Sequence, residues 1–203
     1  MTFSHIGKKG VSRIDKKERI IQSAIDVFSE KGIEKATISE IVKKAGIAQG
    51  TFYLYFSSKL AVMPAIAEVM VNKILEGLNK KVSGGPIQQQ INDIIHVIFD
   101  LTETYKELTK LLYTGLTQTQ YVGNWEIIYA PLYEWIEELL RNGMKDQVID
   151  SELNVKYTAK IIVGTIESAA EQAYLYDQQE TEAVKEHQKE LYYFLIKALG
   201  AHT

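Results

Sequence analysis

The stretch from Thr37 to Lys59 constrains the fold of this chain more than any other part of its sequence. It reads TISEIVKKAGIAQGTFYLYFSSK and divides into two short helical segments on either side of Gly46. Thr37 and Glu40 have the spacing of a capping box, in which each side chain accepts a hydrogen bond from the other residue's backbone N–H. Glycine takes left-handed backbone angles at little cost, so Gly46 predicts a helix end and a tight turn.

The second helical segment, about Ala48 to Leu54, is too short to be stable by itself and needs packing against its neighbours. We expect Phe52, Leu54 and Phe56 to point inward. The other side of the segment carries uncharged residues that are small or form hydrogen bonds: Gln49, Gly50, Thr51 and Tyr53. This arrangement is typical of a helix that lies in the major groove of DNA in helix-turn-helix proteins.

Charge is distributed unevenly along the 203 residues. Residues 1–60 contain eleven Lys and Arg against six Asp and Glu, a formal charge of +5, whereas the remainder contains 12 against 20, a charge of −8. A basic segment attached to an acidic body fits a module that binds a polyanion. Chance clustering of solvated charges would give the same counts.

Composition and patterning argue against several classes of protein. The chain has no cysteine, which excludes disulfides, thiolate catalysis and cysteine-based zinc or iron–sulfur sites. It also lacks a glycine-rich phosphate loop and a His–carboxylate metal spacing, so we expect no metal, no cofactor and no enzyme activity. No apolar run approaches the ~20 residues of a membrane span, and the N-terminus lacks the apolar part of a signal peptide. We therefore expect a cytoplasmic protein without membrane contacts.

The same residues resemble a known family. The run Ala45–Phe56, followed by Ser58-Lys59, is similar to the DNA-binding domain of TetR/AcrR-type transcriptional regulators, and the helical run Arg19–Lys31 matches too. The strong resemblance covers roughly residues 13–65; beyond them only the length and the helical pattern agree. It implies an all-α fold of nine helices, in which a three-helix helix-turn-helix DNA-binding domain precedes a helical ligand-binding and dimerisation domain.

Periodicity along the rest of the chain predicts helices and no convincing strands. We place the N-terminal arm and the DNA-binding domain in residues 1–60, with an arm at 1–14, and the effector-binding and dimerisation domain in residues 61–203. The fourth helix should begin at Ser57 or Ser58 and kink at Pro64. The remaining helices are expected at about 15–31 and, after the break at Gly84-Gly85, at about 87–104, 106–121, 124–143, 154–177 and 181–199.

Base discrimination is expected from Gln49, because glutamine can pair with adenine through two hydrogen bonds. Thr51 and the open Gly50 would allow close approach to the groove. The DNA backbone would be held by polar residues around the motif: Thr37, Ser39, Tyr53, Tyr55 and Lys59. The contact of Lys59 with the DNA backbone is implied by the resemblance, and either tyrosine could instead be a half-buried core residue.

Since one reading helix covers few base pairs, we expect a homodimer on a two-fold symmetric stretch of double-stranded operator DNA. The eighth and ninth helices carry broad apolar stripes, which could form a four-helix seam or simply the core of one subunit. The candidate seam residues are Ile162, Ile166, Ala169, Ala170, Ala173, Leu191, Phe194 and Leu195.

The resemblance also implies a pocket for a small-molecule effector among the aromatic residues of the body. Its candidate lining is His96, Phe99, Tyr113, Trp125, Tyr129, Tyr133 and Tyr174, although plain core packing explains each aromatic residue as well. Glu167 and Glu171 lie one turn apart on the eighth helix and, if buried, would favour a cationic effector.

These features predict a TetR-type DNA-binding transcriptional regulator, a repressor that a small-molecule effector releases from a palindromic operator. The alternative is a helix-turn-helix regulator or adaptor that protein partners control without a small ligand. The sequence leaves open the effector, the operator, the regulated genes and whether binding represses or activates.

Overall fold

The computed structural model describes the backbone of residues 8–116 and 125–201 and, within these, the side chains of residues 16–112 and 125–201. Over these ranges the chain forms nine α-helices and no strand, as the sequence predicts. The helices are α1 (Lys8–Lys31), α2 (Ile38–Ala45), α3 (Gln49–Tyr53), α4 (Met63–Lys81), α5 (Ile87–Thr104), α6 (Lys106–Leu116), α7 (Trp125–Lys145), α8 (Val155–Glu171) and α9 (Thr181–Ala198). A 3₁₀ turn at Leu60–Val62 precedes α4, and a π-helical turn at Gln172–Tyr176 continues α8.

Two boundaries differ from the sequence prediction, and a third cannot be compared. The first helix begins at Lys8, so residues 8–14 of the predicted arm belong to it. Gly10 weakens a helix by about 1 kcal/mol but does not end it, and the segment has no other helix breaker. The predicted end of the sixth helix, in residues 117–121, lies outside the described residues.

The second difference is the start of the fourth helix. It begins at Met63 rather than at Ser57 or Ser58, and Pro64 does not kink it. Pro64 is the second residue of α4, where the backbone N–H has no acceptor within the helix and its absence costs nothing. The proline inside a helix is Pro131 of α7.

Backbone contacts divide the described chain into two compact units. Residues 8–67 and 110–116 form the first unit, and residues 68–109 and 125–201 form the second. The chain passes between the units within α4 and again within α6. The division after residue 60 stays a prediction.

The first unit is built on the packing of α1 against α2. Ile20, Ala24 and Phe28 follow one another at one-turn spacing along α1 and are buried. Ile41 of α2 and Phe52 of α3 are buried as well, with no accessible side-chain surface. The five-residue α3 therefore gains its stability from tertiary packing, as its length requires.

The second unit is a helical bundle with α8 at its centre, packed against α5, α7 and α9. The α8 side chains Ile162, Ile166 and Ala170 are buried, and so is Phe99 of α5. At Gly77 of α4 a Cβ atom would lie 2.9 Å from Val97 Cγ1, so that position needs glycine for the close approach of α4 to α5. No helix in the described ranges is long and apolar enough to cross a membrane.

Candidate nucleic-acid interface

The predicted capping box is present at the start of α2. The Glu40 N–H donates to Thr37 Oγ1 at 3.3 Å, and the Thr37 N–H donates to Glu40 Oε2 at 3.0 Å. Hydrogen bonds from Lys31 and from Thr37 lower the pKa of Glu40 to about 2. The Glu40 carboxylate therefore stays ionised and joins the end of α1 to the start of α2.

The turn between α2 and α3 is fixed by Gly46 and Arg19. Gly46 has φ 64° and ψ 41°, the left-handed conformation that favours glycine. Arg19 of α1 donates to the carbonyl oxygen of Ala45, and a Cβ atom at Gly46 would lie 2.9 Å from Arg19 Nη2. The arginine thus caps α2 with a charged donor and braces the turn that sets the direction of α3.

The structure exposes the polar face of α3. Gln49 and Gly50 are exposed, Thr51 is half-buried and Tyr53 is 51% exposed. No atom lies within 4 Å of a Cβ built on Gly50, so internal packing does not require a glycine there. The face is therefore open to an external partner.

Leu54 corrects one expectation for this segment, because its side chain is 79% exposed rather than buried. Phe52 and Phe56 lie one turn apart and are both buried, with ring centroids 5.7 Å apart. Leu54 follows Phe52 by two residues, a rotation of roughly 200° about the helix axis, and so falls on the opposite side.

Lys59 has hydrogen-bond partners within the chain that the sequence analysis did not predict. Its ammonium donates to three backbone carbonyl oxygens of the loop between α1 and α2: Ile33 at 2.6 Å, Glu34 at 2.9 Å and Ala36 at 2.8 Å. A lysine has three N–H donors, and all of them are used here. Lys59 therefore holds that loop in the free chain, and its predicted contact with a DNA phosphate stays a prediction.

The other predicted backbone contacts differ in how available they are. Ser39 is exposed on the first turn of α2, whereas Tyr55 is half-buried. The Thr37 hydroxyl is exposed but donates to Glu40 Oε2 at 2.9 Å, so it is committed to the capping box. Ser39 and Tyr53 are the predicted residues whose polar groups are best placed for a phosphate.

The sequence analysis did not predict a role for two exposed lysines, Lys35 and Lys43. The other two lysines of residues 31–44 have carboxylate partners. Lys44 pairs with Glu30 at 2.7 Å and with Asp26 at 3.3 Å, and Lys31 pairs with Glu40. Within the described residues Lys35 and Lys43 have no such carboxylate partner. Lys43 lies one turn after Ser39 on α2, so helical spacing alone could have placed both side chains on one surface.

Five predicted seam residues lie in the core of the subunit, which corrects their assignment to a dimer interface. Each is at most 2% exposed: Ile162, Ile166, Ala170, Ala173 and Leu195. The stripe of α8 that faces outward is offset by one residue, a rotation of roughly 100°. Its members are Tyr157, Ile161, Gly164 and Ser168.

The other three seam residues, Ala169, Leu191 and Phe194, line an open groove of about 770 Å³ between α8 and α9. Ile161 is 61% exposed and Phe194 is 58% exposed in this groove, and nothing lies within 4 Å of a Cβ built on Gly164. The remaining lining is mainly polar: Lys160, Thr165, Ser168, Gln172, His187 and Glu190. A backbone or a large side chain could approach α8 closely at Gly164.

The predicted pocket residues divide into separate groups. Trp125, Tyr129 and Tyr133 form a stack along α7, with centroid distances of 4.2 Å and 5.7 Å. Phe99 packs edge-to-face against Tyr174 at 6.1 Å, and among the described residues no ring contact joins this pair to the stack. His96 is exposed on the polar side of α5, so the expectation that it lines an enclosed pocket is wrong. The side chain of Tyr113 lies outside the described residues.

A carboxyl group lies beside the aromatic stack. The Tyr129 hydroxyl donates to Glu167 Oε1 of α8 at 3.1 Å. Burial raises the pKa of Glu167 to about 8; the Tyr129 hydrogen bond opposes this rise and the nearby Glu171 adds to it. Burial also raises the pKa of Glu171. The raised pKa favours the protonated form of Glu167 in the folded protein at neutral pH.

The raised pKa of Glu167 predicts that the protein loses stability as pH rises from about 5 to about 8. In that window the folded state keeps a proton that the unfolded chain, with a pKa of 4.5, has released, so the free energy of unfolding falls. The loss is at most about 4 kcal/mol, and smaller in practice because the side chain keeps some accessible surface. Urea unfolding at several pH values measures it.

Glu167→Gln keeps the shape of the side chain and removes the titration. The difference between the unfolding free energies of wild type and this variant should therefore change across the window, whereas the exposed Glu138→Gln should follow the wild type. If the free energies of unfolding of wild type and Glu167→Gln change with pH in parallel, the carboxyl is not buried enough to hold its proton.

Comparison with known proteins agrees with the geometry of both units. Residues 20–66 match the family described as bacterial regulatory proteins, tetR family, and residues 91–199 match the tetracyclin repressor-like C-terminal domain. The chain is 42% identical over 186 residues to the HTH-type transcriptional regulator YvdT of Bacillus subtilis. This alignment covers 91% of this chain and 95% of YvdT.

Solved structures show the same fold. The fatty acid degradation regulator FadR from Bacillus halodurans superposes with a TM-score of 0.74 at 20% identity, covering 98% of this chain and 100% of FadR. FadR from Bacillus subtilis superposes with a TM-score of 0.72 at 22% identity, covering 91% and 99%. With its braced helix-turn-helix, its helical second unit and matches to the family in both, this chain belongs to the TetR family of DNA-binding transcriptional regulators.

Proposed function

We propose that this protein is a homodimeric repressor that binds a palindromic operator through α3 and leaves it when a small molecule binds. The observation that carries the proposal is the open, uncharged face of α3, held by the Arg19 and Glu40 contacts of the first unit. These contacts fix α3 before DNA binds, which lowers the ordering cost of association.

Gln49 is proposed to read a base pair, because it is exposed at the first turn of α3, where recognition helices contact base edges. Gly50 presents no side chain and would let the backbone approach the groove closely. Ser39, Tyr53 and Lys43 are proposed to contact phosphates and to fix the register. In this proposal the phosphate contacts contribute affinity for any DNA sequence, whereas Gln49 sets the preference for one sequence.

The groove between α8 and α9 is proposed as the dimer seam. Exposed Ile161 and Phe194 form an apolar strip that a second copy would cover, and the open surface at Gly164 permits close packing of helices. A two-fold interface brings the same strip of each subunit together, which matches the symmetry of a palindrome.

An effector is proposed to bind in the second unit, near the aromatic residues of α5 and α7. The Bacillus subtilis FadR structure contains stearoyl-CoA. For the present chain, release requires an effector that prefers the dimer state with wrongly spaced reading helices. A 10⁴-fold preference, about 5.5 kcal/mol, would reverse the population almost completely.

Selection of bound fragments from a random DNA pool by the purified protein tests the proposal. We expect a palindromic consensus and a mass of two chains per operator. An enriched sequence without symmetry, or no enrichment, would contradict dimeric readout. A thermal-shift screen of metabolites and drugs tests the effector, since a ligand at a hundredfold excess over Kd stabilises by about 2.7 kcal/mol.

Gln49→Ala should weaken binding to the selected operator by about 1–3 kcal/mol, because a two-pronged hydrogen bond to a base is lost. The preference at one position of each half-site should relax at the same time. Binding of a library with all four bases at each position measures both effects. Gln89→Ala, at an exposed glutamine of α5, is the matched control. If the specificity profile of Gln49→Ala equals that of wild type, Gln49 does not read a base.

A further inference from the structure

Leu54 has the largest exposed fraction, 79%, of the large hydrophobic side chains that the structure describes. It is the C-cap of α3, with φ −73° and ψ −19°, and so continues the helical path. Gly50 lies one turn before it on the same face, and no side chain there covers the leucine. A single exposed leucine is ordinary on a protein surface, but this one extends the face proposed to enter the groove.

We propose that Leu54 reads a thymine of the operator through its 5-methyl group. The inference rests on the proposed role of α3 in base reading. Five residues separate Leu54 from Gln49, a rise of about 7.5 Å along a helix, whereas successive base pairs are about 3.4 Å apart. The thymine should therefore lie about two base pairs from the position that Gln49 reads.

The chemistry of the side chain favours a base over the DNA backbone. Leucine has no donor for a phosphate oxygen, and its presence there would displace water without replacing a hydrogen bond. In the major groove the thymine methyl is the apolar group that base edges offer. The open surface over Gly50 leaves room beside Leu54 for the base to approach.

Uracil in place of thymine removes only the methyl group, so it tests the contact directly. With the selected operator, each thymine is replaced in turn and the Kd is measured. We expect the affinity of wild type for the operator to fall about fourfold when one particular thymine of each half-site is replaced. This is the equivalent of ~0.8 kcal/mol for one buried methyl group. Leu54→Ala should bind the thymine and uracil operators equally at that position.

Gln49→Ala is the companion variant, which should keep the thymine-to-uracil difference at the Leu54 position. Leu54→Ala should also keep the melting temperature of wild type, since the side chain is exposed. The inference is overturned if no thymine shows a methyl effect, or if Leu54→Ala weakens all sequences alike while the methyl effect persists. Failure of wild type to select any DNA sequence would instead overturn the proposed function.

Discussion

Lys59→Met should lower the free energy of unfolding by about 2–3 kcal/mol. The change removes an ammonium that donates to the carbonyl oxygens of Ile33, Glu34 and Ala36. Hydrogen bonds from a charged donor contribute about 1.5–3 kcal/mol each, but they are not additive, and water can reach part of this loop. Methionine keeps most of the side-chain length, so the loss reports on the ammonium. Urea unfolding followed by circular dichroism measures it.

The same variant distinguishes loop anchoring from phosphate contact. If the ammonium holds the loop, the salt dependence of DNA binding by folded Lys59→Met should equal that of wild type. Lys43→Met is the matched control at an exposed lysine. It should leave stability within about 0.5 kcal/mol and lower the slope of log K against log salt by about one. If Lys59→Met keeps the stability of wild type but lowers the slope of log K against log salt, Lys59 contacts a DNA phosphate instead of holding the loop.

Ile161→Glu should convert the protein to single subunits and abolish tight operator binding. In a two-fold seam the substitution places two carboxylates, one from each subunit, in the apolar strip of α8 and α9, and burying an unpaired charge costs several kcal/mol. The dimer dissociation constant should rise more than a hundredfold. A single subunit binds the palindrome through one α3 helix and so lacks the additional affinity that a second, linked α3 would provide. Light scattering and operator titration measure the two effects.

Ile127→Glu supplies the control, because Ile127 of α7 is 74% exposed and does not line the groove. It introduces the same charge and should leave both the mass and the operator affinity unchanged. Because Ile161 is itself exposed in the single chain, Ile161→Glu should fold with nearly the stability of an isolated wild-type subunit. If Ile161→Glu remains a dimer with full operator affinity, the seam lies on another surface.

Local interactions explain why much of the first unit is predictable from sequence. The capping box at Thr37 and Glu40 and the left-handed turn at Gly46 depend on residues within a few positions of each other. The bounds of α5 agree with the pattern of buried residues along it, because its apolar positions repeat every three or four residues. In these places the side chains that fix the backbone are close in the chain.

The helix faces of the second unit could not be predicted in the same way. The apolar surface of α8 spans two adjacent stripes, and periodicity does not say which one faces the subunit's own core. Ile162 and Ile166 are buried against the bundle, whereas Ile161 is exposed in the groove one residue away. That choice depends on where α5, α7 and α9 pack.

The sequence by itself determined the helical class, the helix-turn-helix and the uncharged outer face of its second helix, because each follows from short-range backbone and packing preferences. Tertiary structure alone decided the partners of Lys59, which reach back 23 to 26 residues, and the placement of Arg19, which meets the turn 26 residues later. A charged side chain can serve a phosphate or a distant carbonyl equally well, and only the three-dimensional path of the chain selects between them.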